Sequence, residues 1–356
     1  MNSSFSQFAG QKVFITGHTG FKGTWLTFIL KELGAEICGY SLKPDLSNKH
    51  FNDLGLKEEI LHIEADIREQ RQLVSEMKAF QPTYVFHLAA QALVRKSYVD
   101  PTLTFETNVL GSLNLLEAVR ETQSVKSLVY VTSDKCYENK EWVYGYRESD
   151  ELGGLDPYSA SKSSAEILFS SFTRSFLETR ENLGFASVRA GNVIGGGDWS
   201  EDRIIPDCVR AISDSQPITL RSPNSTRPWQ HVLEPLSGYL LLAQKLYREP
   251  LKWRGSWNFG PDASDVLTVK EVALSMISEF GEGSIEIQNP GTGEHEAGFL
   301  KLNCDKAHEI LKWWPTWNSR KTLSETANWY KRVMAGEDTL TVTRDQATEF
   351  FGGSSD

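Results

Sequence analysis

The sequence predicts an α/β protein: a parallel sheet wound with helices on both faces, followed by a smaller, less regular lobe. Three observations carry this expectation. Short β-rich runs alternate with helical periodicity through the first half, a glycine-punctuated turn separates the first run from the first helix, and the alternation loosens after Asn192. Strands separated by helices pair in parallel, and a parallel sheet needs cover on both faces.

Lys12 to Thr16 reads as the first strand, Gly17 to Gly23 as the turn and Thr24 to Leu33 as the first helix. Further strands are expected at Glu36 to Tyr40, Ile60 to Glu64, Tyr84 to Leu88, Ser127 to Ser133 and Ala186 to Arg189. Helical periodicity covers Gln70 to Phe80, Pro101 to Thr122 and Tyr158 to Leu183. Ligands of such sheets bind at the carboxyl ends of the strands.

Gly195-Gly196-Gly197 opens the irregular half, where helices are expected at Leu233 to Lys245, Val269 to Phe280, Asp305 to Leu311 and Leu323 to Met334. The organisation that follows is a first domain over 1–191, a second lobe over 192–345 that interleaves with it, and a polar, mobile tail over 346–356.

Composition narrows the function classes. The 356 residues are 40% hydrophobic and 24% charged, ordinary for a globular protein. The net charge of −10 argues against a nucleic-acid or anionic-membrane partner, and an anionic substrate would need a local basic pocket. Cys38, Cys136, Cys208 and Cys304 are scattered and read as reduced thiols. No His, Cys, Asp and Glu cluster has metal-ligand spacing, so no metal is expected. Met1 to Gly10 lacks a basic segment followed by an apolar run, and no stretch approaches the ~18 apolar residues of a membrane span. The expectation is a soluble cytoplasmic protein.

Gly17-His18-Thr19-Gly20-Phe21-Lys22-Gly23 is a G-x-x-G-x-x-G loop between a strand and a helix. Glycines admit a dinucleotide pyrophosphate close to the backbone, and the helix N-terminus supplies N–H donors. The adenosine ribose normally meets an acidic residue after the second strand. Ser41 stands there instead, with Lys43 nearby, so NADP stays open beside NAD. His18 is expected in the loop near the cofactor, and His87 as a buried strand residue.

Tyr158-Ser159-Ala160-Ser161-Lys162 places a phenol and an ammonium on one helix face. Helped by a nicotinamide cation, the ammonium would lower the phenol toward a usable base. Ser133-Asp134-Lys135, in an earlier loop, supplies a hydroxyl, a carboxylate and an amine. Alcohol oxidation needs only the hydroxyl. The other two suit a second reaction, the loss of water. Arg203, Arg221 and Arg227 lie in the second half, and their forks match phosphate oxygens.

The glycine spacing and the Tyr-x-x-x-Lys pair resemble the extended short-chain dehydrogenases/reductases, a Rossmann-type fold. From Gln11 to about Arg332 the chain resembles their nucleotide-sugar branch, with His87-Leu88-Ala89-Ala90, Tyr158-x-x-x-Lys162 and Arg189-Ala190-Gly191-Asn192 as fixed points. Two segments, Arg189 to Trp199 and Arg227 to Val232, are similar to those of the CDP-D-glucose 4,6-dehydratases. Relatives acting on other nucleotides carry Glu where this chain has Lys135, a departure that the CDP-glucose enzymes share.

The resemblance implies NAD, with Gly17, Thr19, Gly20, Phe21, Lys22, Gly23, Ser41, Asp66, Ile67, Leu88, Ala89, Ala90, Tyr158 and Lys162 around it. It implies CDP-D-glucose as substrate, met by Asn192, Asp198, Trp199, Arg203, Arg221, Arg227 and His231. It also implies Ser133, Asp134, Lys135, Tyr158 and Lys162 as catalytic residues, and a homodimer joined through a four-helix interface. A 4-epimerase, a dehydratase for another nucleotide-hexose and a non-catalytic dinucleotide sensor remain as alternatives.

Overall fold

The computed structural model describes residues 3–45, 49–262, 265–288 and 299–353. Seven parallel strands form the central sheet. Six are β1 (Lys12–Thr16), β2 (Glu36–Ser41), β3 (Leu61–Glu64), β4 (Tyr84–His87), β5 (Ser127–Val131) and β6 (Gly184–Arg189). The seventh, Gly255–Asn258, was not foreseen. Its four residues show no apolar alternation, yet it pairs in parallel with β6, Gly255 opposite Ala186 and Asn258 opposite Arg189. Across the sheet the order is Gly255–Asn258, β6, β5, β4, β1, β2, β3. The order reverses beside β1, and there the carboxyl ends of β1 and β4 open the crevice where ligands of such sheets bind.

Two apolar layers cover the sheet. One contains Trp25, Phe28 and Ile29 together with Leu236 and Leu240, and the other Leu73, Met77, Leu115, Val119 and Phe169. The first is partly built by the Leu233–Arg248 helix, so the sheet draws both a strand and a covering helix from chain beyond residue 191.

Three expected elements differ in detail. The segment from Pro101 is not one continuous helix: Pro101–Phe105 passes through a π turn, Glu106–Leu110, before Gly111–Glu121 resumes. Such turns concentrate at functional sites. The helix expected to run to Leu183 ends at Phe172 with a π turn over Thr173–Leu177. The Arg180 guanidinium there holds the carbonyls of Val119 and Val125 instead of extending the helix, and Leu183 turns into the core. Residues 346–352, expected as a mobile tail, complete the helix Thr339–Gly352. Asp338 caps it through the Thr341 amide at 2.9 Å, and Ala347, Phe350 and Phe351 are buried. Residues 354–356 lie outside the described residues.

In the irregular half, helix Ile204–Ser213 was also unforeseen; its Pro206 sits in the first turn, where the missing N–H costs little. Among the described residues no helix is long and apolar enough to cross a membrane.

Burial has a consequence for acid stability. His18, His50, His87 and His231 are buried and brought down to about 3, in each case chiefly by loss of hydration. Below their ordinary value the unfolded chain binds protons that the fold refuses, so stability falls as pH drops from about 6.5 toward 3. Four sites together give a slope of about 5 kcal/mol per pH unit. Cooperative unfolding between about pH 5 and 4, followed by circular dichroism, is the expected result. A fold intact at about pH 3.5 would contradict it.

Candidate active site

The glycine loop leads from β1 into helix Phe21–Glu32. Gly17 has a φ of +72°, and a Cβ there would stand 2.7 Å from the Ala89 amide nitrogen and 2.9 Å from the Leu88 carbonyl carbon. Gly23 is equally constrained, since its Cβ would fall 2.0 Å from the Gly17 oxygen. Gly20 is different: a Cβ would meet nothing closer than that oxygen, at 3.5 Å. Internal packing does not demand glycine at Gly20, and the space beside it is open to a ligand's approach. The helix it begins has no acidic residue in its first turn and no side-chain cap on its N–H groups. That suits a pyrophosphate.

Around the loop, Thr19 and Ser41 hydroxyls lie 3.0 Å apart, and Leu88, Ala89 and Ala90 are half-buried at the end of β4. The Asp66 carboxylate is engaged by Arg68, whose backbone N–H donates to it at 2.9 Å and whose Nη2 donates at 2.8 Å. Ile67 packs where Gly111 leaves room for it. His18 turns under Gly39 and meets the His62 ring at 2.7 Å, so its side chain packs the loop against β2 and β3. His87 is buried as expected, between the hydroxyls of Thr16 and Ser112.

Ser133, Asp134, Lys135, Tyr158 and Lys162 come together beside this loop. Ser133 follows β5 and caps the short turn Asp134–Cys136. Its hydroxyl donates to Asp134 Oδ1 at 2.9 Å and lies within hydrogen-bonding reach of the Tyr158 phenol. Tyr158 and Lys162 share helix Pro157–Phe172, which starts at a proline and is capped by Asp156 through the Ser159 amide at 2.9 Å. The Lys135 ammonium stands 6.0 Å from the Tyr158 ring centroid.

Lys162 is 6% exposed and forms no hydrogen bond or ion pair among the described residues. A buried, unpartnered ammonium fits a ribose hydroxyl pair, as expected of a nicotinamide site. Burial lowers it to about 8. Burial also pushes the Tyr158 phenol up to about 12, against the pull of the Ser133 hydrogen bond and the Arg203 charge. Desolvation is the largest effect on the phenol here.

Asp134 is 2% exposed, and its Oδ2 has no hydrogen-bond partner. A Cβ on Gly191 would fall 1.7 Å from that oxygen. The glycine of Arg189-Ala190-Gly191-Asn192 therefore makes room for Asp134. Asn192 follows with a φ of +48°, an uncommon conformation for a residue with a side chain.

The residues expected at the substrate divide. Arg203 pairs with buried Asp198 at 3.4 Å, and its charge acts on Tyr158. Trp199 stands edge-on to Tyr330, and its indole N–H is buried without a partner. Arg221 lies further out, joined with Arg95 to Asp202. Arg227 is half-buried, and its guanidinium donates to the Thr226 carbonyl. His231 does not reach the site. It is fully buried between Trp25 and Trp317. Alternation along Gln230–His231 explains this: Gln230 turns toward the site and donates to the Gly191 carbonyl, so His231 faces the core.

Two supporting networks escaped sequence reading. Asn108, in the π turn, donates to Ser161 at 2.8 Å and accepts from the Gln91 amide at 2.8 Å, which fixes the face of the Tyr158 helix. Its only signal was a polar residue within an otherwise helical pattern. Arg189 and Glu166 form a buried bidentate pair at 2.9 and 2.8 Å, completed by Ser187 and Tyr137. Removing one partner of such a pair strands the other charge.

A family model described as the NAD dependent epimerase/dehydratase family matches residues 13–253. The chain belongs to this family. It is 44% identical over 350 residues to the CDP-glucose 4,6-dehydratase of Salmonella typhimurium, covering 97% of this chain and 98% of the relative. It is 32% identical over 350 residues to the CDP-paratose 2-epimerase of Salmonella typhi, covering 90% of this chain and 100% of that one. Among solved structures, the UDP-glucose 4-epimerase of Thermus thermophilus in complex with NAD is 25% identical, with a TM-score of 0.75 over 90% of this chain and 99% of that one. The dTDP-glucose 4,6-dehydratase of Streptomyces venezuelae is 21% identical, with a TM-score of 0.77 over 92% of this chain and 99% of that one. Members of the family thus include epimerases and dehydratases on one scaffold.

Proposed function

We propose that the chain is an NAD-dependent CDP-D-glucose 4,6-dehydratase, which forms CDP-4-dehydro-6-deoxy-D-glucose and water. The observation that carries this is the meeting of two sets of groups in one pocket: Ser133, Tyr158 and Lys162 for oxidation, Asp134 and Lys135 for elimination. The 44% identity to the Salmonella CDP-glucose enzyme supports the choice of nucleotide.

The glycine loop and Lys162 would hold NAD, which would supply the hydride acceptor for sugar C4, the hydride donor for C6 and positive charge near Tyr158. Tyr158 takes the C4 hydroxyl proton, and Ser133 holds that oxygen. The ketone at C4 makes C5–H an α-proton, within reach of a modest base. Lys135 takes that proton. The C6–O bond then breaks, and Asp134, acting as the acid, gives a proton to the departing hydroxyl, which leaves as water. A proton returned to C5 completes the product. An epimerase has no use for the acid and amine, which is why the reading favours dehydration.

The assembly we expect is a cytoplasmic homodimer. Val99, Phe105, Leu110, Ile167 and Phe176 are exposed apolar residues on helices that pack against one another, and a second copy would cover them.

Incubation with a panel of nucleotide-hexoses, with products identified by mass and NMR, tests the function. CDP-glucose should lose one water without added reductant. Inversion at C4 with no loss of water would replace the reading with an epimerase.

A further inference from the structure

One buried ion pair joins the two sets of groups in this pocket. Glu166 lies one turn beyond Lys162 on helix Pro157–Phe172, and Arg189 ends β6. Their fork is bidentate, at 2.9 and 2.8 Å, and each residue is 2% exposed. The pair also reaches both ends of the turn Asp134–Cys136. Before the turn, the Thr132 hydroxyl donates to Glu166 Oε1. After it, the Tyr137 phenol accepts from Arg189 Nη1 at 2.7 Å.

The two ends are held differently. The Ser133 side continues β5, and the Thr132 N–H donates to the Val188 carbonyl at 2.9 Å, so the sheet itself fixes it. Past Lys135 the backbone pairs with another loop: the Gly153 N–H donates to the Cys136 carbonyl at 3.0 Å and the Glu138 N–H to the Glu151 carbonyl at 2.9 Å. The Tyr137 phenol returns this end to the sheet. It accepts from Arg189 and donates to Asn258 Oδ1 at 2.7 Å, on the strand paired with β6. A buried ion pair is a weak source of net stability, and its best-attested use is to fix register.

We propose that Tyr137, held by Arg189 and Glu166, is a positioning residue for the elimination step. Tyr137 is 1% exposed, so it acts through the turn and not on the substrate. It sets Lys135 relative to Ser133 and Tyr158, and so sets the groups for elimination relative to those for oxidation. Loosening this tie should disturb loss of water more than oxidation at C4, because Ser133 stays anchored to the sheet. This rests on the reading of the chain as a dehydratase.

The test is Tyr137→Phe, which removes the phenol oxygen and keeps a ring that stacks on Tyr146 at 5.2 Å. NAD-loaded parent and variant are mixed with a stoichiometric amount of CDP-glucose. The rise of reduced-cofactor fluorescence follows oxidation, its decay follows completion of the reaction, NMR in deuterated water follows exchange of C5–H, and thermal melting follows the fold. Tyr137→Phe should melt close to the parent and form reduced cofactor at close to the parent rate. Decay of that signal and exchange of C5–H should each slow by about 10- to 100-fold, the cost of a misplaced group. Both steps slowed alike, or neither slowed, would overturn the proposal. Thr132→Val frees the Ser133 end instead and should slow oxidation; a selective loss of elimination there would overturn the assignment to Tyr137. The parent alone tests the underlying reading. A parent that removes no water from CDP-glucose refutes the dehydratase and this role with it, whereas a dehydrating parent leaves Tyr137→Phe to decide the role by itself.

Discussion

Tyr158→Phe is expected to lose about 10²- to 10⁴-fold in kcat while binding CDP and NAD as the parent does. The substitution keeps the ring, and with it the packing of a residue that is 7% exposed. It removes the oxygen that lies in reach of Ser133. In the proposed mechanism that oxygen takes the C4 proton before any later step, so both halves of the reaction should slow together. Because burial holds the phenol up to about 12, the charged form depends on the Ser133 hydrogen bond and on nearby cations. Ser133→Ala should therefore move the rising, low-pH limb of the kcat profile, which reports the base, to higher pH. Near-normal kcat in Tyr158→Phe would remove the phenol from the mechanism.

Lys135→Met is expected to separate the two halves. An unbranched side chain of similar length stays in place, and the amine 6.0 Å from the Tyr158 ring is gone. In the proposed mechanism oxidation at C4 uses Ser133, Tyr158 and Lys162, so it should survive in part. Elimination needs a base at C5 and should fall by about 10²-fold or more. The readout is exchange of C5–H with deuterated solvent, by NMR, under conditions where the parent exchanges it readily. Exchange in Lys135→Met as fast as in the parent would show that another group takes the proton.

Much of this site could be read from the sequence because its chemistry sits at strand ends and one helix turn. The carboxyl ends of β1, β4 and β5 are fixed by short apolar runs, and Tyr158 and Lys162 are placed by helical spacing alone. What could not be read depends on contacts distant in sequence. Asn108 matters because a π turn aims it at Ser161, 53 positions away, and no local pattern announces that turn. Gly191 reads as a loop glycine until Asp134 is seen occupying its Cβ position. His231 has the composition of a binding residue, but strand alternation turns it into the core. The strand Gly255–Asn258 is legible only as the partner of β6. The last helix was missed because its polar residues are spread through the segment, while Phe350 and Phe351 anchor it near the end.

The central claim is that one bound cofactor is used twice within a single turnover, at C4 and then at C6. Turnover of CDP-glucose carrying deuterium at C4, with no added reductant, tests it most directly. The account predicts a CDP-4-dehydro-6-deoxyglucose in which NMR finds the deuterium at C6. Loss of the label to solvent, or its retention at C4 of an inverted sugar that has kept its C6 hydroxyl, would contradict it.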